Sequence, residues 1–220
     1  MIPPVKWSGL VVAALAAVLA GTAFAAQGDP QKKITKAGQA RARAAALRLS
    51  DLGPGWKAEP SNNKDDSSPR CSNYDPDQSD LVEIGSYDSP DFNRADGSFV
   101  SSTTGVFRTA QGARAGYARV AVLQLADCFG ELFLKQVRKP NSARIVSTGP
   151  LTFPKYGDRL NAYRIAMSLK TPSATVPFTV DLVVFNRGAT DVAMIFLGIA
   201  KPLPAAFERS LVARVALRVQ

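Results

Sequence analysis

Two apolar stretches near the end of the chain, Val176 to Phe185 and Asp191 to Ile199, limit what it can fold into more than any other feature. Both have the length of strands, and Val183, Phe185, Val192 and Met194 are matched on the opposite face by Leu182, Val184, Ala193 and Ile195. A strand that is apolar on both faces has to be covered on both. The covers must be helices from elsewhere in the chain. One candidate, expected over Ala110 to Val137 with Thr109 as its N-cap, places Val122, Leu125, Phe129, Leu132 and Phe133 at spacings of three and four. A second runs from about Pro204 to Arg218, with Phe207, Leu211 and Val215 in line. Further strands are expected over 81–87, 98–108, 143–153 and 159–169, with a two-residue hairpin at Arg187-Gly188 and a longer turn at Thr171-Pro172-Ser173. The fold class that follows is α+β: an antiparallel sheet of five or six strands packed with helices in a sandwich.

The N-terminal segment speaks to compartment. Lys6, the apolar run Leu10 to Ala20 and the small residues Ala23 and Ala25 have the layout of a signal peptide over residues 1–25, cleaved before Ala26. A retained membrane anchor is the alternative, although 18 uncharged, Ala-rich residues barely span a bilayer. A Cys at the new N-terminus, which lipid attachment would need, is absent at Ala26. Secretion predicts oxidised thiols, so the two cysteines, Cys71 and Cys128, are expected to form one disulfide. It would close a loop of about 58 residues and contribute about 4 kcal/mol. Residues 26–48 read as an N-terminal helix or tether opened by Asp29-Pro30 and weakened by Gly38, and residues 49–220 as a single α+β domain.

Histidine is missing from all 220 residues. That removes Ser-His-Asp and Cys-His nucleophiles and His-ligated zinc. The acidic stretch with Asp65, Asp66, Asp75, Asp77 and Asp80 lacks the spacing and closing Glu of a calcium loop and reads as a polar surface turn, with weak calcium binding as the other reading. No metal or cofactor is expected. A net charge of +9 has two readings: solubility in an Arg-rich proteome, or anionic partners, namely a small anion, a cell-wall polymer, a protein, or peripheral association with a membrane or wall. The early cations Lys32, Lys33, Lys36, Arg41, Arg43 and Arg48 scatter around a helical wheel, and no nucleic-acid motif accompanies them.

Polar residues on apolar strands mark candidate sites, because burying them unpaired is costly. Arg164 and Asp181 are expected on one face, diagonal to each other across a hairpin, as either an internal ion pair or the charged floor of a cleft. Ser102, Thr104 and Arg108 form a second polar row, and Tyr156, Gly157 and Asp158 a rim loop.

The residues Leu49 to Trp56, Cys71, Ser89 to Phe92, Cys128, Gly157-Asp158 and Val180 to Ile195 together resemble the extracellular sensor domains of actinobacterial receptor Ser/Thr kinases of the PknH type and their secreted or lipoprotein relatives. The resemblance implies a helix-and-sheet sandwich with a cleft, an extracytoplasmic ligand-binding role and no established catalysis. The expectation is therefore a secreted, non-enzymatic ligand-binding or interaction module at a bacterial cell surface. Two alternatives stand beside it: a secreted hydrolase using Asp158 with Asp181 on an anionic wall component, and a structural envelope protein held by its charge.

Overall fold

A computed structural model describes residues 28–61, 69–136, 142–172 and 174–219. The expected signal peptide lies outside them, as do Asp65 and Asp66. All six anticipated strands form: β3 (Val82–Asp88), β5 (Phe99–Phe107), β6 (Ala143–Pro150), β7 (Arg159–Lys170), β8 (Thr175–Arg187) and β9 (Thr190–Ile199). Three short ones join them, namely β1 (Gln31–Lys32), β2 (Trp56–Glu59) and β4 (Asp91–Arg94). The result is one nine-stranded sheet in the order β1-β3-β5-β9-β8-β7-β6, with β4 also on β5 and β2 on β4. It is mixed rather than wholly antiparallel, since β1 runs parallel to β3. The β8–β9 turn is Gly188-Ala189, one residue later than expected, with Arg187 paired to Thr190 and Gly188 at φ 58°.

The two-faced strands β8 and β9 lie inside the sheet, and helices cover both sides. On one face α1 (Lys36–Ala45), the short α2 (Leu49–Leu52) and α5 (Ala205–Arg218) bring Ala45, Leu52, Leu211 and Val215 against Val100, Val183, Phe185, Met194 and Phe196. Trp56, delivered by the turn after α2, stacks on Phe207 at 5.7 Å with Arg94 over its ring. The other face carries α3 (Ala110–Val120) and α4 (Leu123–Gln136), whose Tyr117, Leu125, Cys128 and Phe133 meet Ile165, Met167, Val180 and Leu182.

The N-terminal helix begins later than Asp29-Pro30 would place it. Asp29 binds Arg70 at 3.0 Å, and Gln31-Lys32 is taken into the sheet beside Val82-Glu83. The helix starts after Thr35, whose hydroxyl accepts the Gly38 N–H at 3.0 Å. Gly38, which weakens the helix by propensity, is where it touches the sheet: a Cβ there would overlap the Ile84 carbonyl, and one at Gly85 would overlap the Gly38 backbone.

The single helix expected over 110–137 is broken at Ala121-Val122. The Ala121 carbonyl accepts from the Tyr163 hydroxyl (2.8 Å) and from Asn161 Nδ2 (2.6 Å), and the Val120 carbonyl accepts from the Tyr74 hydroxyl (3.1 Å). Side chains from β7 and from the loop before β3 thus engage acceptors that an unbroken helix would use itself. The expected disulfide joins Cys71 in that loop to Cys128 in α4, with Cα atoms 5.5 Å apart. Among the described residues no helix is long and apolar enough to cross a membrane.

Candidate functional site

Arg164 and Asp181 face each other directly across β7 and β8, not diagonally. The guanidinium grips the carboxylate with both arms, Nε to Oδ1 at 2.7 Å and Nη2 to Oδ2 at 2.6 Å. The Asp181 side chain is 2% exposed and that of Arg164 35%, so this is a pair under α5 with one edge open to solvent. Sequence reasoning missed its third member. Glu208, in the first turn of α5, is buried over the pair, and its Oε1 has no hydrogen-bond partner. Burial, then the charge of Asp181 and a hydrogen bond to it, push the Glu208 carboxyl up to about 8, against the opposing pull of Arg164 and Arg209. The Glu208 carboxyl therefore keeps its proton at neutral pH.

The second expected row does not join this cluster. Ser102 is buried, its hydroxyl accepting the Leu47 N–H at 3.0 Å, and Thr104 is fully buried with its hydroxyl unpartnered. Arg108 lies past the end of β5, exposed. In register, Met194 and Phe196 of β9 stand between β5 and Asp181. Asp158 is turned toward the β8–β9 turn, accepting the Gly188 N–H at 2.9 Å, while its own N–H reaches the Asn186 carbonyl. Asn186 is five residues along β8 from Asp181, about 17 Å at strand rise. The Asp158–Asp181 pair expected of a hydrolase is therefore too wide for carboxylates that flank one bond at about 5 to 10 Å. In the acidic stretch, Asp75 pairs with Arg70 and Asp80 with Arg119. Among the described residues no three His, Cys, Asp or Glu side chains gather where they could hold a metal ion.

A different place has the features of a binding site. The break between α3 and α4 leaves an open cleft of about 550 Å³ against the start of β7 and the loop before it. Tyr117, Ala121 and Val122 line one side, and Phe153, Lys155, Arg159 and Asn161 the other. Its volume is in the range of small-molecule sites. Lys155 and Arg159 are exposed, and among the described residues neither has a hydrogen-bond or ion-pair partner. Tyr117 is 95% buried, as its 5% exposure states, and its hydroxyl has no partner. Burial, aided by nearby Tyr163 and Asp191, raises the phenol above its usual range, so it stays a donor; Arg159 acts in the opposite sense.

Behind Tyr117 the register lines up Arg159, Asn186, Asp191 and Gly105 across four strands. Asn186 Nδ2 donates to Asp191 Oδ1 at 2.6 Å, and Glu83 lies over Gly105. Burial, with the charge of Glu83 adding to it and the Asn186 bond opposing, lifts Asp191 to about 7. The row is thus cationic at the cleft and acidic away from it. Around this cleft, the sequence reading singled out Val122, as part of a helix face, and the rim loop next to Lys155 and Arg159. The available signal was two cations flanking Tyr156 to Asp158 with no acid spaced to pair them in a strand.

No family model matches the chain, and no curated protein matches it. Among solved structures it is similar to the extracellular domain of PknH from Mycobacterium tuberculosis, at 12% identity over 82% of this chain and 96% of that one, with a TM-score of 0.44. It is also similar to LpqN, involved in cell envelope biogenesis of Mycobacterium tuberculosis, at 12% identity over 77% and 78% of the two chains, with a TM-score of 0.29. At this identity the likeness concerns fold alone.

Proposed function

We propose that the chain is an extracytoplasmic, non-enzymatic module of the bacterial cell surface that binds an anionic ligand in the cleft between the α3–α4 break and β7. The observation that carries this reading is the pair of cations, Lys155 and Arg159, which have no partner among the described residues and lie beside a buried Tyr117 hydroxyl that has none there either. Elsewhere the arginines that touch acids are already engaged, as Arg164, Arg94 and Arg218 are. The Cys71–Cys128 bond supports placement in an oxidising compartment.

A thermal-shift screen against wall precursors, small carboxylates, phosphates and polyanions tests it. A ligand at 100 times its dissociation constant adds about 2.7 kcal/mol of stability, which raises Tm by several degrees. The expected result is a hit that weakens with added salt and is lost in the Lys155→Ala/Arg159→Ala double variant. A panel of anions that leaves Tm unmoved, or a hit that the double variant retains, refutes the cleft as the site.

A further inference from the structure

We propose that the ligand of the cleft is an amphipathic anion, its phosphate or carboxylate held by Lys155 and Arg159 and its apolar portion lying along Ala121, Val122 and Phe153. This rests on the anion-site reading and specifies the other half of the ligand.

The charged half follows from the side that carries both unpaired cations. The opposite wall contains the C-terminal end of α3, and a helix C-terminus normally repels anions. Here two carbonyls at that end are occupied, those of Val120 and Ala121, which accept from Tyr74, Asn161 and Tyr163. What this wall offers a ligand is the side chains of Ala118, Ala121 and Val122. Asp158, the acid nearest Arg159 in sequence, is committed to the Gly188 N–H. Lys155 and Arg159 thus place two cations on one side of the cleft, opposite the Ala121 and Val122 side chains.

Size supplies the apolar half. A cleft of about 550 Å³ has the volume of roughly eighteen waters, more than an inorganic anion fills. The remaining space is bounded by Val122, Phe153 and Leu160. An inorganic phosphate would leave those side chains wet, whereas a ligand with an attached chain or ring covers them and gains by burial.

The test is calorimetric titration of the full chain with inorganic phosphate, phenyl phosphate and a series of n-alkyl monophosphates below their micellar range, with octyl glucoside as the neutral control. The expected result is a dissociation constant that falls about fourfold for each methylene that enters the cleft, levelling once it is full. Phenyl phosphate falling on the same trend assigns the site to compact ring-bearing anions as well as to chains; phenyl phosphate binding no better than inorganic phosphate assigns it to chains. Arg159→Ala and, separately, Lys155→Ala each weaken the best probe at least tenfold without lowering Tm, as both residues are exposed. Val122→Thr flattens the methylene trend while inorganic phosphate binds as before. If inorganic phosphate and every alkyl phosphate bind equally, and Arg159→Ala weakens them equally, the anion site stands and the amphipathic ligand is overturned. Octyl glucoside binding as tightly as octyl phosphate overturns the charged half. No binding by any probe overturns both readings together.

Discussion

Replacing Glu208 by Gln should make the protein more stable at alkaline pH. The buried carboxyl sits against Asp181, whose two oxygens are held by Arg164. Its pKa rises from 4.5 to about 8, chiefly through burial. A helix N-terminus favours a charged acid by about 0.3 to 1 kcal/mol, too little to offset that burial. Because the folded value lies above the unfolded one, the folded state holds a proton that the unfolded chain releases between pH 4.5 and 8. Stability therefore falls as pH rises through that window, and is regained on acidification. A rise of this size, with the opposing pull of Arg164 and Arg209 already included, corresponds to about 5 kcal/mol at full effect. The amide of Gln can donate to Asp181 as the protonated acid does, but it does not titrate. Urea midpoints at pH 4, below the window, should thus be nearly equal for the two proteins. At pH 8.5 the variant should lead by at least about 2 kcal/mol. Asp191, lifted to about 7, titrates in the same window in both proteins and cancels from the difference. Stability curves that run parallel from pH 5 to 8.5 would refute the account of Glu208 as a buried, protonated acid.

Reduction of Cys71–Cys128, or the double replacement by Ser, should cost about 4 kcal/mol by loop-closure entropy and appear as a lower guanidinium midpoint; an unchanged midpoint would mean that the loop is held by Tyr74 and Arg70 alone. Gly38→Ala, which at an exposed helix position would stabilise by about 1 kcal/mol, should destabilise by about 2 kcal/mol or more because the new Cβ meets the Ile84 carbonyl. A stabilised Gly38→Ala protein would show that α1 does not lie so close to β3.

The strands that the sequence reveals are those whose side chains carry the pattern: β7, β8 and β9 bury apolar residues on both faces, and Leu211 and Val215 of α5 complete one cover. The strands it hides are made by backbone pairing at the rim. Gln31-Lys32 exposes both side chains, and β2 exposes three residues of four, so no periodicity advertises them. The break at Ala121 is hidden for another reason. Val122, Leu125 and Phe129 continue the helical spacing through it, while the groups that interrupt the helix, Asn161 and Tyr163, lie about 40 residues away in sequence. The cleft depends on that break, so its location could not be read from local pattern. Arg164 and Asp181 stand out as charges on apolar strands. Glu208 does not, because an acid in the first turn of a helix ordinarily faces water.

The strand order also has a consequence for how the chain assembles. Strands β6 to β9 follow one another as an antiparallel meander, so their pairings are local and fast to form. The earlier strands attach to this meander along a single seam, where β5 pairs with β9 from Phe99↔Leu197 to Val106↔Thr190. Until β5 arrives, β9 is an open edge bearing Val192, Met194, Phe196 and Leu197, a template for the wrong partner. Slow closure of that seam, rather than weak native contacts, would then be the step at which misassembly competes with folding.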